Sequence, residues 1–192
     1  MNTDTFIAEQ HTLTSRLLNP QRNAGQASDQ RLISRLKQGD QRAWTALLQE
    51  WQGPLFQYFS YALPDSSLAG EALTATLEAA IRAISHFDDG QSLTTFFYSL
   101  AAQRVNLLSR KRKTNKRRRI AGASQTGKID AFHAVLATVP QNQRQALLLR
   151  YHLGLSVAEI SDILGRTAAE VERMLEHGSR QLQDALGSVG YQ

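Results

Sequence analysis

The segment GASQTGKI (Gly122 to Ile129) comes close to the phosphate-binding loop G-x-x-x-x-G-K-[ST], the strongest hint of nucleotide chemistry in the sequence. In such a loop the last hydroxyl binds magnesium, and a buried strand precedes the first glycine. Here Ile129 occupies the hydroxyl position, and a run of cations comes before Gly122. The segment is therefore interpreted as part of a linker and not as a nucleotide site.

Other catalytic or metal-binding constellations are not found in the sequence. It contains no cysteine, which excludes disulfides and thiolate metal sites, and no G-x-S-x-G motif. Asp88-Asp89 precedes a glycine, which is more typical of a turn than of a carboxylate pair. None of the histidines has H-E-x-x-H or another paired-ligand spacing: His11, His86, His133, His152 and His177. We therefore expect no enzymatic activity, no metal and no cofactor.

The positive charge of the chain is concentrated in one block. Net charge is +5, but RKRKTNKRRR (Arg110 to Arg119) alone holds eight cations and no anion, so the rest sums to 5 − 8 = −3. A dense cationic block indicates a polyanion as partner, most often nucleic acid. A solvated linker or a localisation tract is the alternative. Because the block directly continues a helical pattern, we favour nucleic acid as the partner that it binds.

Two short capped segments near the C-terminus predict a helix-turn-helix within LSVAEISDILGRTAAEVERMLEH. Ser156 is a good N-cap, and Glu159 stands three residues later, which makes a capping box. Gly165 permits a left-handed turn, and Thr167 with Glu170 repeats the capping pattern. In a helix-turn-helix the second helix enters the major groove of DNA. A plain helical hairpin is the alternative.

The predicted second helix is unusually acidic for DNA. It carries Glu170, Glu172 and Glu176, and Arg173 is its only nearby cation. Glu170 could cap the helix backbone, and a carboxylate can also accept a hydrogen bond from cytosine N4. Alternatively the helix has drifted from DNA, and affinity rests on Arg166, Arg173 and the basic block.

Hydrophobic periodicity is helical almost throughout, as in the stripe Trp44, Leu47, Leu48 and Trp51. The Gly53-Pro54 pair interrupts this pattern. We therefore predict an all-α protein with two small helical bundles joined by a flexible basic linker, the C-terminal one containing the helix-turn-helix. The predicted segments are a flexible lead-in over 1–28, a helical domain over 29–112, the linker over 113–128 and a helix-turn-helix domain over 129–192.

The residues from Val139 to Leu186 resemble the C-terminal promoter-binding domain of bacterial sigma factors, the region that reads the minus-35 element. The resemblance lies in VPQNQRQALLLRY, in GLSVAEISDILG and in the closing R-x-x-L pattern. LISRLKQGDQRAWTALLQEW and FFYSLAAQRVNLLSRKRK resemble region two of the two-domain extracytoplasmic-function (ECF) type. Together the two matches cover about Asp29 to Leu186.

This resemblance implies an alternative sigma factor. Such a protein binds core RNA polymerase, recognises promoter DNA through both domains and helps to open the duplex, while polymerase does the chemistry. Promoter DNA and core RNA polymerase are the implied partners, and an anti-sigma factor is a further candidate. With no signal peptide and no apolar run near the length of a membrane span, we expect a cytoplasmic location without membrane insertion.

The resemblance also implies the site residues. The helix Leu68 to Ile84 resembles the polymerase-docking surface, through Glu71, Leu73, Leu77 and Glu78. Aromatic side chains that can stack on bases, and cations that can hold the backbone, suit the melted minus-10 element. The residues implied on this side are Phe96, Phe97, Tyr98, Gln103, Arg104, Arg110, Lys111 and Arg112. At least one of the two phenylalanines is expected to be buried in the core instead. The minus-35 contacts are Ser156, Arg166, Thr167, Ala168, Glu170, Arg173 and His177.

Several positions depart from the family's usual residues. The docking helix has Ala72 and Ala75 where polar residues are usual, Phe96-Phe97 replaces a Trp-Leu pair, and Gln103 replaces an asparagine. The segment 170–174 replaces Thr-Val-Lys-Ser-Arg. These changes leave two alternatives open: a sigma-like transcriptional regulator without initiation activity, or a polymerase-independent helix-turn-helix DNA-binding regulator.

Overall fold

The computed structural model describes the backbone of residues 26–63, 65–88, 90–116 and 131–188. Within these ranges every regular element is a helix, which confirms the predicted all-α class. Most of the predicted lead-in 1–28 lies outside the described residues, and 26–28 already belong to the first helix. The predicted linker 113–128 begins as helix, and its residues from 117 onward lie outside the described part. The predicted domain boundaries stay a prediction.

The N-terminal half consists of four helices. They are α1 (Gln26–Lys37), α2 (Gln41–Ala62), α3 (Ala69–Ala83) and α4 (Leu93–Lys116), with short 3-10 turns at Ser66–Leu68 and Ile84–His86. Asp40 starts α2, because its carboxylate accepts hydrogen bonds from the backbone N–H groups of Arg42 and Ala43. Ser92 does the same for α4, accepting from the N–H of Thr95 at 3.0 Å.

Helix α2 runs without a break through Pro54, although Gly53-Pro54 predicted an interruption. Proline removes one backbone donor and crowds the preceding turn. In this helix, Pro54 and Leu55 are both buried, so packing offsets the local cost. Tertiary contact has overridden a local helix-breaking signal.

Aromatic side chains form the centre of the N-terminal half. Trp51 of α2 stacks on Phe97 of α4 with ring centroids 4.5 Å apart, and it meets Tyr98 edge-on at 5.9 Å. Tyr58 packs edge-on against Tyr98 at 5.4 Å. These four side chains are fully buried, so they hold α2 and α4 together.

The C-terminal half consists of α5 (Ala131–Thr138), α6 (Gln141–Leu147), α7 (Val157–Leu164) and α8 (Ala168–Ser188). A π-helical turn at Leu148–His152 extends α6, with the N–H of Leu153 donating to the carbonyl of Leu148. Helix α8 packs across α6 and α7. The two halves do not stand apart, because their buried apolar side chains form one continuous cluster.

Candidate nucleic-acid interface

The helix-turn-helix begins with a complete capping box on α7. The Ser156 hydroxyl oxygen accepts from the N–H of Glu159 at 3.3 Å, and the Glu159 carboxylate accepts from the N–H of Ser156 at 2.7 Å. Both orphan donors at the helix start are thereby satisfied. The Glu159 carboxylate also accepts a hydrogen bond from the Ser156 hydroxyl. The side chain of Ser156, a predicted minus-35 residue, is therefore already engaged in capping α7.

A left-handed residue joins the two helices of the motif. Gly165 has φ 61° and ψ 46°, and its N–H donates to the carbonyl of Ser161. Glycine takes this conformation without the steric cost that a Cβ would add. The N–H of Arg166 also donates to Ser161, which closes the turn. The predicted turn is therefore present, with α7 and α8 packed together.

The carboxylate of Glu170 caps the second helix, α8, through hydrogen bonds with Thr167. Its carboxylate accepts from the N–H and the hydroxyl of Thr167, both at 2.9 Å, and the N–H of Glu170 donates back to that hydroxyl. These hydrogen bonds, with the nearby guanidinium groups of Arg166 and Arg173, lower the pKa of Glu170. Of the two roles considered for Glu170, helix capping and hydrogen bonding to a base, the capping role is supported by the hydrogen bonds of the structure.

The start of α8 presents most of the other predicted minus-35 residues on the surface. Six of the seven are exposed: Ser156 at the start of α7, and Arg166, Thr167, Ala168, Arg173 and His177 at or near the start of α8. Val171 is fully buried and faces the core, so the exposed face of α8 points away from the bundle. Glu172 and Glu176 share that face, and Glu176 is paired with Arg180. The face is therefore mixed in charge and not basic.

The three aromatic residues predicted on the minus-10 side are all in the core. Phe96, Phe97 and Tyr98 are 7%, 0% and 0% exposed. Phe97 stacks on Trp51, and Phe96 meets Phe87 edge-on at 5.2 Å. We therefore correct the expectation of base stacking for these side chains, because each ring already has protein on its faces.

The polar residues predicted for the same side are placed differently. Gln103 and Arg110 are exposed on α4. Arg104 is largely covered and lies 3.9 Å from the Glu71 carboxylate, so its charge faces α3. Lys111 and Arg112 belong to the helical backbone of α4, and their side chains lie outside the described residues. Among the minus-10 residues whose side chains the structure describes, Gln103 and Arg110 are thus the ones accessible to DNA.

The predicted docking helix corresponds to α3 and its flanking 3-10 turns. Glu71 and Glu78 are exposed, and Leu77 is half-buried. Leu73 is only 7% exposed and belongs to the core, so it is corrected from a docking contact to a packing residue. Ile81 is 47% exposed instead, so it is a large apolar side chain that α3 offers to a partner.

Arg144 is a buried structural residue that the sequence did not single out. Its guanidinium donates to the carbonyls of Val139 at 3.0 Å, Ala137 at 3.2 Å and Ala62 at 3.4 Å. Burial lowers the pKa of Arg144. Because Ala62 ends α2, this arginine ties the C-terminal half to the N-terminal half. Its position within the quoted motif was visible in the sequence, but its partners were not.

Among the described residues, no three or more histidines, aspartates or glutamates come together in a group that could hold a metal ion. Among the described helices, none has the length and apolar character that a membrane span requires.

Comparison with known proteins adds a family and a fold. Residues 129–182 match the family described as Sigma-70, region 4. The structure resembles CnrH, solved in complex with the cytosolic domain of CnrY, with a TM-score of 0.68 and 18% identity over 83% of this chain and 97% of that one.

It also resembles the sigma factor RpoE from Bartonella quintana, solved with the anti-sigma factor NepR. There the TM-score is 0.62 and the identity 18%, over 71% of this chain and 91% of that one. None of the curated proteins matches the chain. Residues 129–182 are thus similar to sigma-70 region 4, as the sequence resemblance predicted, and the fold of the chain is similar to that of the sigma factor RpoE.

Proposed function

We propose that this protein is an alternative sigma factor, which binds core RNA polymerase and directs promoter recognition and transcription initiation. The observation that carries the proposal is the capped helix-turn-helix, placed inside the residues that match sigma-70 region 4. Such a motif delivers the N-terminal end of its second helix to the major groove. The sigma-factor fold of the remaining helices supports the same function.

The proposed DNA contacts are those predicted residues whose side chains are exposed in the structure. On the minus-35 side they are the accessible residues at the start of α8, among which Arg166 and Arg173 supply positive charge. On the minus-10 side, Gln103 and Arg110 of α4 take this role, together with the basic block that α4 leads into. The proposed polymerase contacts are Glu71, Leu77, Glu78 and Ile81 of α3.

The proposed activity is binding without catalysis. Sigma factors are non-enzymatic, and no cofactor is proposed. Because promoter DNA and polymerase occupy the same compartment, we propose a cytoplasmic location. An anti-sigma factor is proposed as a regulatory partner, since RpoE was solved with one.

The decisive experiment is reconstitution with core RNA polymerase. Promoters are first mapped across the genome after induced expression, and run-off transcription is then measured on one of them. The proposal predicts a discrete transcript that needs both core polymerase and this protein. If the protein does not associate with core polymerase in a pull-down, the proposal fails.

Matched variants of α8 test the DNA contacts. Replacing Arg173 with alanine should weaken promoter binding by about 10-fold if it contacts a base or phosphate, since such contacts contribute about 1–3 kcal/mol. Arg180→Ala is the control, because Arg180 lies two turns further along the same helix and pairs with Glu176. Equal losses in the two variants would argue against a specific role for Arg173.

The mixed charge of the exposed face of α8 and the burial of Leu73 favour one second candidate, a sigma-like regulator that binds polymerase and does not initiate. It predicts core association with no run-off product. High-affinity operator binding by the protein alone would instead indicate a polymerase-independent regulator.

A further inference from the structure

One large apolar side chain lies exposed on α4, the helix that leads into the basic block. Leu107 is 51% exposed. Among the described residues, three other large apolar side chains are comparably exposed, namely Phe56, Ile81 and Tyr151. A single exposed apolar side chain is ordinary on a protein surface. Leu107 is therefore distinguished by the side chains around it and not by its exposure.

The neighbours of Leu107 on its helix face are an amide and two cations. Residues three or four positions apart share one face of a helix. Gln103 and Arg104 precede Leu107 at these spacings, and Arg110 follows it. Gln103 and Arg110 are exposed like Leu107, whereas Arg104 is partly covered. Gln103, Leu107 and Arg110 thus form one exposed line, which we call the α4 strip.

The other three exposed apolar side chains have different surroundings. Around Phe56 and Tyr151, the positions three and four residues away hold no charged residue. Around Ile81 they hold one, the acidic Glu78. Of the four, only Leu107 has a cation on the turn before it and another on the turn after it. A positively charged surrounding favours a polyanion over an apolar protein surface as the partner.

The α4 strip matches the chemistry of base edges in DNA. In the major groove an amide side chain can pair with adenine, a cation can bind guanine or phosphate, and an apolar side chain can contact the 5-methyl group of thymine. Gln103 and Arg110 lie about 10 Å apart along the helix axis, at about 1.5 Å per residue. This length corresponds to about three base pairs at about 3.4 Å each. Leu107 between them would face a neighbouring base.

We propose that Leu107 is a specificity-determining residue that reads thymine: its side chain contacts the 5-methyl group of one thymine on the minus-10 side of the promoter. Arg110 contributes affinity through its charge, and Leu107 contributes preference for one base without any charge. The inference rests on the proposed function, because a promoter-bound α4 is what brings bases to the α4 strip.

Replacing thymine with deoxyuridine tests the contact, because this change removes the 5-methyl group and leaves base pairing and charge intact. Thymines of a mapped promoter are replaced one at a time, and each duplex competes for the protein bound to core polymerase. The parent should bind one of these duplexes about 4-fold more weakly, which corresponds to the burial of one methyl-sized group. Leu107→Ala should bind the unmodified promoter about 4-fold more weakly than the parent and should not respond to that replacement.

Two controls separate an apolar base contact from other effects. Phe56→Ala truncates a comparably exposed side chain without charged neighbours, so it should keep the binding and the thymine response of the parent. Leu107→Ala should leave the salt dependence of binding unchanged, whereas Arg110→Ala should reduce it by about one phosphate contact. Circular dichroism should show unchanged helix content in Leu107→Ala, because alanine favours an exposed helix position.

Several results would overturn the inference. One is a parent that responds to no deoxyuridine replacement, and another is a response that persists in Leu107→Ala. A third is weaker association of Leu107→Ala with core polymerase in the absence of DNA, which would place Leu107 in a protein interface. Failure of the proposed function is distinguishable, because the parent itself would then not bind core polymerase and no promoter would be mapped.

Discussion

Phe97 has the chemistry of a base-stacking side chain and the position of a core side chain. Its ring lies on Trp51 and is fully buried, as is the neighbouring Tyr98. An aromatic ring in a folded core loses its free face, so it cannot also stack on an extruded base. At this position, burial decides between two roles that the residue type allows equally.

We predict that Phe97→Ala destabilises the protein by about 3–5 kcal/mol, because it leaves a cavity against Trp51. Urea unfolding followed by tryptophan fluorescence measures this loss. Phe56→Ala is the control, since Phe56 is 47% exposed and its truncation should cost less than about 1 kcal/mol. Normal stability in Phe97→Ala with lost promoter opening would restore the stacking role.

Glu170 shows the opposite case, in which a charged residue at a position predicted to face DNA has a structural partner. Its carboxylate accepts two hydrogen bonds from Thr167 at the start of α8. These bonds favour the ionised form, which is why the pKa of Glu170 is lowered. One of the glutamates that make α8 acidic is therefore part of its helix cap.

The lowered pKa gives the cap a defined pH dependence. Because the folded-state pKa lies below the ordinary 4.5, the stabilisation is fully present above pH 4.5 and is lost as pH falls through the folded value. Glu170→Gln should thus melt below the parent at pH 7, and the difference should narrow as pH falls below 4.5. Thermal melts across this range test it, with Glu172→Gln as control. A difference that stays constant with pH would contradict the cap.

At the scale of elements, the crossing of α6 and α8 depends on a glycine. A Cβ at Gly178 would lie 3.1 Å from Gln143 Cβ and 3.1 Å from Leu147 Cδ1. Such distances are tighter than ordinary van der Waals contact, so α6 would have to move. The close approach holds α8 against α6.

We predict opposite effects for two glycine-to-alanine changes in helices. Gly178→Ala should destabilise the fold by about 1 kcal/mol, because overpacking outweighs the gain in helix propensity. Gly70→Ala meets no atom within 4 Å and should stabilise α3 by up to about 1 kcal/mol. Chemical denaturation of both variants provides the measurement. Stabilisation by both changes would mean that α6 and α8 are not closely packed.

The exposed face of α8 offers a second prediction, on DNA affinity. Glu172 is exposed beside Arg173, where a carboxylate would repel the phosphate backbone. Glu172→Lys should strengthen binding to the minus-35 element and steepen the salt dependence by about one phosphate contact. Filter binding at several salt concentrations, with Gln183→Lys as the remote control on α8, tests this. Altered sequence preference would show instead that Glu172 reads a base.

At the scale of the whole molecule, the two halves share one buried apolar cluster. Apolar side chains from both halves belong to the same core, from Ile33 near the start to Val171 near the end. Interfaces of this kind couple the unfolding of the parts that they join. The halves are therefore expected to unfold as one cooperative unit.

Calorimetry can detect that coupling. We predict one unfolding transition for the parent protein and a lower melting temperature for Gln145→Glu, because the new carboxylate would be buried beside Asn106 Oδ1, where the two halves meet. Asn142→Asp, the same change at an exposed position of α6, should melt like the parent. Two resolved transitions in the parent would show that the contacts between the halves contribute no cooperativity.

The features that could be predicted from sequence are those with local causes. The caps at Ser156 and Thr167 and the turn at Gly165 each depend on residues within about four positions, so their chemistry is readable in one stretch. Helical periodicity is local in the same sense, which is why the all-α class was predictable. At Pro54 the local signal predicted an interruption of the helix, but α2 is continuous there because Pro54 is packed in the core.

By itself, then, the sequence determined the helical class, the helix-turn-helix and its resemblance to sigma region four. Only the tertiary structure decided that Phe96, Phe97 and Tyr98 are core residues, and that Tyr58 and Asn106 of the N-terminal half form hydrogen bonds with Gln145 of the C-terminal half. The physical reason is separation along the chain: Tyr58 and Gln145 are 87 residues apart, and Asn106 and Gln145 are 39. Contacts of that range depend on how whole helices pack, and no short pattern of residues contains them.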